Sequence, residues 1–301
     1  MIKLIKRKKL DVERYDECIT KSMQSNIFGY SWYLDTVCDK WNVLVLNDYE
    51  AVMPIPWRRK FLIKYVYPPF WLTQLGIYSE VIEDENEFLI ELFSGYKYVD
   101  LRMNFKNSFS MFQKYQLSRQ IQCLDLKKPY ADIFSKYKRD RRKDLQRAKK
   151  NNLEARWNDS PEKLISLYQE NIGKRVKKIK EKDYEVLLNL MRLCIEKGNG
   201  ELLSVADGQG KLVASGFFLK YDGRVMILVS STDLKNRKNG ANTFLIDRAI
   251  QKFHGDYNIF DFGGSSMPKI ASFFKSFGAV DENYMNLKQN KLPWLLRLFK
   301  R

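Results

Sequence analysis

The spacing of apolar and polar residues predicts an antiparallel three-stranded meander in the second half of the chain. Three β-rich runs, at residues 201–206, 212–220 and 224–231, are separated by the short turn sequences DGQG and YDG. Turns of this kind between short β-rich runs are typical of antiparallel neighbours. After a polar loop at 234–240, apolar residues recur at helical spacing as far as Phe253, which predicts a helix beginning near Asn242.

The segments around the meander predict further elements of both kinds. We expect strands at residues 153–157, 258–262 and 284–287, and helices at residues 160–172, 182–197 and 267–277. Ser160 and Pro161 form a helix cap with a first-turn proline, and Gly278 ends the last helix. The order is therefore strand, two helices, meander, helix, strand, helix, strand.

The first part of the chain predicts a separate α/β domain. Helical patterns cover residues 15–23, 31–40 and 83–93, and strand patterns cover 43–46, 51–55, 98–102 and 119–126. A charged helix is expected at residues 129–150. We predict two domains, 1–128 and 129–287, with the tail 288–301 packing on the first. The fold class is α/β, with a mostly antiparallel mixed sheet flanked by helices.

Composition narrows the chemistry. The chain has 301 residues, of which 45% are apolar, enough for a substantial core. The four cysteines are far apart in sequence, which indicates reduced thiols, and His254 is the single histidine. Ser-His-Asp, Cys-His and multi-histidine metal chemistry are therefore disfavoured, and we expect no metal cofactor.

The charge balance points to anionic partners. The formal net charge is +17, and a field of that size attracts phosphates, nucleic acid or anionic lipid, although a generally basic solvated surface would give the same count. No apolar run approaches the roughly 20 residues of a membrane span, and the basic start lacks the apolar stretch of a signal sequence. We therefore expect a cytoplasmic protein.

The loop RKNGAN, residues 237–242, has the features of a pyrophosphate site. A glycine lets the backbone approach a ligand, and the amides that open the next helix have no intrahelical partner. An ordinary basic loop that ends in a helix remains the alternative. The candidate donor-binding residues are Ser231, Thr232, Arg237, Asn239, Gly240, Ala241 and Asn242.

This order of elements and this loop resemble the GNAT acyltransferases. That family carries an R/Q-x-x-G-x-G/A loop that holds the pyrophosphate of an acyl-coenzyme A. Arg237 and Gly240 match the spacing, whereas Asn242 stands where Gly or Ala is expected. The resemblance implies an acyl-CoA co-substrate and transfer of the acyl group to an amine or a hydroxyl. The departure at Asn242 makes coenzyme A a weaker inference than the fold.

Residues 260–279 resemble the C-terminal signature of the Fem-type peptidoglycan-bridge aminoacyltransferases, which are tandem GNAT proteins. The ending FKSFG, residues 274–278, has one residue fewer between Lys and Phe than the family pattern. The resemblance implies that Phe274 and Lys275 lie near the reacting acyl group, with core packing favoured for Phe277. With no histidine base at hand, Asp261 is the candidate to deprotonate or orient the nucleophile, and Tyr284 is a candidate acid for the leaving group.

The predicted basic helix is a second candidate binding surface. Between residues 136 and 150 there are nine Lys or Arg and two Asp, more lopsided than the balanced pairing of a solvated helix face. Arg141 and Arg142 are the candidate contacts to an anionic substrate, and a polyphosphate-bearing molecule or a tRNA acceptor stem would fit. A solvated helix face remains the alternative. The basic, amphipathic end of the chain, residues 292–301, either packs on the first domain or touches an anionic membrane.

These features predict an acyltransferase that acts on an amine or hydroxyl acceptor, such as a cell-envelope precursor, at or near the inner face of the membrane. Two alternatives stay open. One is a peptidoglycan-bridge aminoacyltransferase that uses aminoacyl-tRNA. The other is a catalytically inactive module that binds anions or RNA.

Overall fold

The computed structural model describes residues 1–60, 62–81, 84–173, 179–263 and 267–294. The chain divides into two compact units. Unit 1 comprises Met1–Arg119 together with the segment that begins at Asn283, and unit 2 comprises Gln120–Glu282.

The strands within the described residues are β1 (Ile2–Lys6), β2 (Trp41–Leu46), β3 (Ala51–Lys60), β4 (Ile63–Val66), β5 (Tyr78–Ser79), β6 (Tyr98–Arg102), β7 (Gln116–Asp125), β8 (Glu154–Trp157), β9 (Gly200–Ala206), β10 (Leu212–Tyr221), β11 (Arg224–Thr232), β12 (Ile259–Asp261) and β13 (Val280–Asn290). The α-helices are α1 (Val12–Lys21), α2 (Ser31–Val37), α3 (Asn86–Gly95), α4 (Tyr130–Ser135), α5 (Arg139–Lys150), α6 (Pro161–Tyr168), α7 (Glu181–Glu196), α8 (Ala241–Phe253) and α9 (Pro268–Lys275). Short 3-10 segments include Leu234–Asn239, and a π-helical turn at Gln169–Gly173 follows α6.

Unit 1 is built on an antiparallel sheet in the order β1-β2-β3-β4, with β5 also paired to β3. Strand β3 changes partners along its length, because Ala51 and Val52 pair with β5 whereas residues 57–60 pair with β4. Pro54 and Pro56 lie between these stretches, where β3 pairs with β2 alone. A proline without an N–H is tolerated there, since no ladder bond is lost on the open side.

Unit 2 contains the meander that the turn residues predict. Its strands follow the order β7-β12-β11-β10-β9-β8, and all pairs are antiparallel except β11 with β12. Helix α8 packs on β9, β10 and β11 through an apolar face at helical spacing. Its buried apolar residues are Ala241, Leu245, Ile246, Ala249, Ile250 and Phe253. The α/β class with a mostly antiparallel mixed sheet is confirmed.

The prediction of one helix over residues 129–150 is wrong. The segment forms α4 and α5, separated at residues 136–138. Tyr137 is buried in this break, 5.1 Å in ring-centroid distance from Phe277, and the amide of Lys138 donates to the Ser276 carbonyl. Burial of an aromatic side chain and a tertiary hydrogen bond therefore outweigh continued helix at this point.

The division between the units falls at Arg119 and Glu282, a few residues before the boundaries expected from the sequence. The reason is strand pairing. Residues 123–125 of β7 pair with β12, which ties the end of β7 to unit 2.

Candidate active site

The candidate cleft of unit 2 lies where β11 and β12 separate. The two strands pair in parallel only over Arg224, Val225 and Met226, and β12 ends at Asp261. Strand β11 continues to Thr232 and, among the described residues, pairs there with β10 alone. Beyond Met226, β11 and β12 are no longer paired in the described residues, and this separation defines the candidate cleft.

A β-bulge marks the same point on β11. Phe217 pairs with Val229, but the next residue, Phe218, pairs with Ile227, so Leu228 is an extra residue in the ladder. A bulge leaves its extra residue unpaired and bends the strand, and bulges are frequent beside active sites. Leu228, Ser230 and Thr232 are half-buried, whereas Ile227, Val229 and Ser231 are buried. The bulge in the ladder with β10 and the separation from β12 therefore occur at the same level of β11.

Gly240 connects β11 and its loop to α8. Its φ is +87°, a conformation that favours glycine. A Cβ on Gly240 would lie 2.2 Å from the carbonyl oxygen of Asp144 in α5 and 3.3 Å from the amide of Ala148. The space beside Gly240 is thus filled by the backbone of α5, so the glycine permits close packing of this helix on the loop.

The first turn of α8 already has acceptors from the protein itself. The amide of Ala241 donates to Asn239 Oδ1 over 2.9 Å. The hydroxyl of Thr243 donates to Asp144 Oδ2 over 2.9 Å and accepts from Arg141 Nη1 over 2.7 Å. Ala241 and Thr243 are buried. A carboxylate at a helix N-terminus is stabilising, so Asp144 takes the position in which a ligand anion would be expected.

Comparison with known proteins identifies the fold. A family model for the GNAT acetyltransferase domain matches residues 135–276. Residues 135–276 therefore form a GNAT-type domain. A comparison with curated protein sequences finds no match.

Three solved structures carry this tandem GNAT fold over nearly the whole chain. FemX superposes with a TM-score of 0.65 at 10% identity, covering 97% of this chain and 99% of its own. The L-PGS of Bacillus licheniformis gives 0.56 at 13% identity, with 96% and 95% covered. A tandem GNAT protein from the clavulanic acid biosynthesis pathway gives 0.55 at 8% identity, with 97% and 99% covered. At such identities the likeness concerns the fold alone.

The remaining predicted donor contacts of the GNAT domain differ in accessibility. Ser231 is buried and its hydroxyl donates to the Leu167 carbonyl over 3.1 Å, so it ties β11 to α6. Thr232 and Asn242 are half-buried. The side chain of Arg237 lies outside the described residues.

The side chain of Arg141 packs against other residues of the GNAT domain, whereas the sequence analysis predicted that it contacts a ligand. Its side chain is 14% exposed and forms a 3.0 Å ion pair with Asp144. Its guanidinium lies 4.6 Å from the ring centroid of Phe273 in α9. Arg141 therefore joins α5, α8 and α9, and a charge reversal there would disturb packing. Arg142 is exposed and donates to the Ser135 carbonyl, so it is free to contact a ligand with its remaining N–H groups.

The other cations of residues 136–150 form the basic face. Eight of the nine Lys and Arg side chains are exposed. They are Lys136, Lys138, Arg139, Arg142, Lys143, Arg147, Lys149 and Lys150. Asp144 pairs with Arg141 and with Arg147, which leaves the basic face with a strong excess of positive charge.

Asp261 lies in a buried ion cluster. Its Oδ2 accepts from Arg224 Nη1 over 3.2 Å, and its Oδ1 accepts from the Gly263 amide over 2.8 Å. Arg224 also forms two hydrogen bonds to Glu282, of 3.0 and 2.9 Å. Burial raises the pKa of Asp261, and the charge of Arg224 opposes that rise. Because both carboxylate oxygens of Asp261 already accept hydrogen bonds, Asp261 is better placed to fix the backbone at Gly263 than to accept a proton from a substrate.

Phe274 and Lys275 are adjacent in α9 but have different surroundings. The Phe274 ring lies 4.8 Å from that of Phe262, the residue that follows β12, so Phe274 packs at the β12 side of the cleft. Lys275 Nζ forms a 2.6 Å ion pair with Asp281, whose pKa is lowered by hydrogen bonds from Gln122 and Lys275. Phe277 is fully buried, which confirms its core role. Tyr284 is half-buried and belongs to unit 1.

Two site residues escaped the sequence analysis. Asn171 is buried in the π-helical turn, where its Oδ1 accepts from the Leu234 amide and its amide group donates to the Leu167 carbonyl. It thereby fixes the start of the loop that leads to α8. Asp144 could have been noticed as one of two acids in a basic helix, but its partner Thr243 is 99 residues away in sequence.

No group of three or more His, Cys, Asp or Glu side chains in the described part of the chain is arranged to hold a metal ion. Over the same residues, none of the helices combines the length and the apolar character of a membrane span.

Proposed function

We propose that this protein is an aminoacyltransferase that takes its acyl group from an aminoacyl-tRNA and passes it to an amine or hydroxyl acceptor. The observation that carries the proposal is the close packing of α5 and Asn239 on the start of α8. Asn239 accepts from the Ala241 amide, Asp144 accepts from the Thr243 hydroxyl, and the backbone of α5 fills the space beside Gly240.

A coenzyme A pyrophosphate depends on free amides at that turn. A tRNA depends instead on many phosphate contacts spread over a surface, and these give affinity without a single deep pocket. The eight exposed cations of the basic face offer such a surface beside the same loop. The charge distribution therefore favours a polynucleotide carrier.

The transfer itself requires alignment and charge stabilisation more than a strong base. The acceptor nitrogen or oxygen would attack the ester carbonyl carbon, the bond to the ribose oxygen would break, and the acceptor's proton would pass to that oxygen. Main-chain N–H groups near the Leu228 bulge would stabilise the negative charge on the carbonyl oxygen, and binding would align the reactants. Lys275 is a proposed proton donor to the leaving oxygen, and Phe274 is proposed to contact the acyl group.

Acyl-CoA is the second candidate donor. The spacing from Arg237 to Gly240 and the match to a GNAT acetyltransferase domain favour it. For the acceptor, we propose a cell-envelope precursor or an anionic lipid at the inner face of the membrane. One structural neighbour is, by its description, the C-terminal domain of a putative lysylphosphatidylglycerol synthetase from Agrobacterium fabrum, with a TM-score of 0.53.

Reversing two charges on the basic face tests the carrier. Arg142→Glu with Lys143→Glu should weaken retention of aminoacyl-tRNA on filters by about tenfold or more, because two phosphate contacts become repulsive. The slope of log affinity against log salt should fall by roughly 1.5 to 2. Lys8→Glu with Lys9→Glu is the matched control, since this pair is also adjacent and exposed but lies in unit 1.

Native mass spectrometry of freshly purified protein separates the donors. A co-purifying coenzyme A thioester, together with unchanged tRNA retention in the Arg142/Lys143 variant, would overturn the proposal in favour of acyl-CoA. Retention of aminoacyl-tRNA without transfer to any amine or hydroxyl acceptor would identify an inactive binding module.

A further inference from the structure

The turn of the β3–β4 hairpin of unit 1 presents an exposed leucine to solvent. Its strands pair from Trp57 opposite Val66 to Lys60 opposite Ile63, so the turn lies directly beyond Lys60. Leu62 in this turn is 81% exposed and has a φ of +64°. Leucine carries a steric penalty in this left-handed region and loses contact with the core there. An exposed leucine held in that conformation is unfavourable for the isolated chain.

Cations surround this tip. Arg59, Lys60 and Lys64 are exposed on the two strands that carry Leu62. The ammonium groups of Lys64 and of the neighbouring Lys40 each lie 5.3 Å from the ring centroid of Trp57. The nearby carboxylate of Asp39 is neutralised by Arg58, to which it is hydrogen-bonded. The hairpin therefore combines an exposed leucine with surrounding positive charge, called the collar below.

We propose that this hairpin docks on an anionic lipid bilayer, with Leu62 entering the boundary between headgroups and acyl chains. Lys and Arg side chains can keep their charged ends at the headgroups while their stems cover apolar surface. Anionic leaflets attract basic residues close to the surface, and an apolar residue gives the contact depth. The inference is independent of the proposed acyl transfer.

The details of the tip favour lipid over nucleic acid. Single-stranded bases stack on exposed aromatic faces. Among the described residues of the turn, the exposed apolar residue is Leu62, and Trp57 on the adjoining strand is half-buried with two ammonium groups near its ring. A bound RNA would contact the cations through its phosphates, but Leu62 would add little to its affinity. The two features are therefore separable by mutation.

Vesicle flotation tests the aliphatic contribution. The wild-type chain should bind vesicles in which about a third of the lipid is phosphatidylglycerol and should bind phosphatidylcholine vesicles weakly. Leu62→Asp should lower the affinity for the anionic vesicles by about tenfold or more, through lost insertion and an added negative charge. Val81→Asp is the matched control, because Val81 is 80% exposed in the same unit and lies outside the hairpin. It should change the affinity by about twofold or less.

Charge reversal tests the collar. Arg59→Glu with Lys60→Glu should lower the affinity for anionic vesicles by about tenfold or more, and Lys8→Glu with Lys9→Glu should have a much smaller effect. Thermal melting of each variant should match the wild type, since the mutated side chains are exposed.

Three results would overturn the docking proposal. One is that the wild type fails to bind anionic vesicles, and another is that both charge-reversed pairs lose the same affinity for them. The third is that Leu62→Asp and Val81→Asp bind these vesicles with equal affinity. RNA binding that falls with the Arg59/Lys60 pair while vesicle binding stays unchanged would assign the collar to nucleic acid instead.

Discussion

Replacing Gly240 with Ala is expected to lower the free energy of unfolding by about 2 to 5 kcal/mol. Two effects add. An L-residue at a φ of +87° costs about 1 to 2 kcal/mol, and the new Cβ would lie 2.2 Å from the Asp144 carbonyl oxygen. Neither backbone segment can yield without moving α5 away from α8. Urea denaturation of the full-length chain measures the loss.

Gly210→Ala is the control that separates these effects. Gly210 also has a positive φ, of +79°, but an added Cβ there meets nothing within 4 Å. This variant should lose only about 1 kcal/mol, the conformational part. Equal losses in the two variants would mean that α5 adapts to the extra carbon. The glycine would then be better explained by close approach of a ligand, as the sequence first suggested.

The sequence predicts the elements of unit 2 well, because their signals are local. The turns at residues 207–210 and 221–223 separate β9, β10 and β11, and the apolar spacing after Gly240 defines α8 to within a residue of its start. The break between α4 and α5 was missed because its cause is tertiary. Tyr137 is buried against Phe277, which is 140 positions away in sequence, so the apolar spacing within residues 129–150 cannot predict this contact.

The candidate site could be predicted only in part for the same reason. Residue type and position located the loop, but they do not show what faces each side chain. Arg141 is two residues past the start of a basic helix, yet its partners are Thr243 and Phe273, over a hundred residues away in sequence. The sequence alone predicts Asp261 as a base, because it does not show that Arg224, 37 residues away, donates a hydrogen bond to it. Charge and periodicity thus found the surface cations but not the buried ion pairs.

Replacing Arg224 with Met is expected to lower the free energy of unfolding by about 3 to 5 kcal/mol at neutral pH. Arg224 is 6% exposed, and its removal leaves the buried carboxylate of Asp261 without its cation and Glu282 without its two hydrogen bonds. Arg192→Met is the control, because Arg192 pairs with Glu162 at a surface where both side chains are about half exposed. That variant should lose less than about 1 kcal/mol.

The loss in Arg224→Met should shrink as the pH is lowered. Burial already raises the pKa of Asp261, so this group favours folding most when it is protonated and opposes folding as the pH rises through its folded-state pKa. Removing Arg224 takes away the charge that opposes this rise, so the pKa moves further up. Between pH 7 and pH 5 the difference from wild type should narrow, by at most about 1.4 kcal/mol per pH unit. A loss that stays constant over this range would mean that Asp261 has the same charge in the variant as in the wild type, which would contradict the expected rise of its pKa on removal of Arg224.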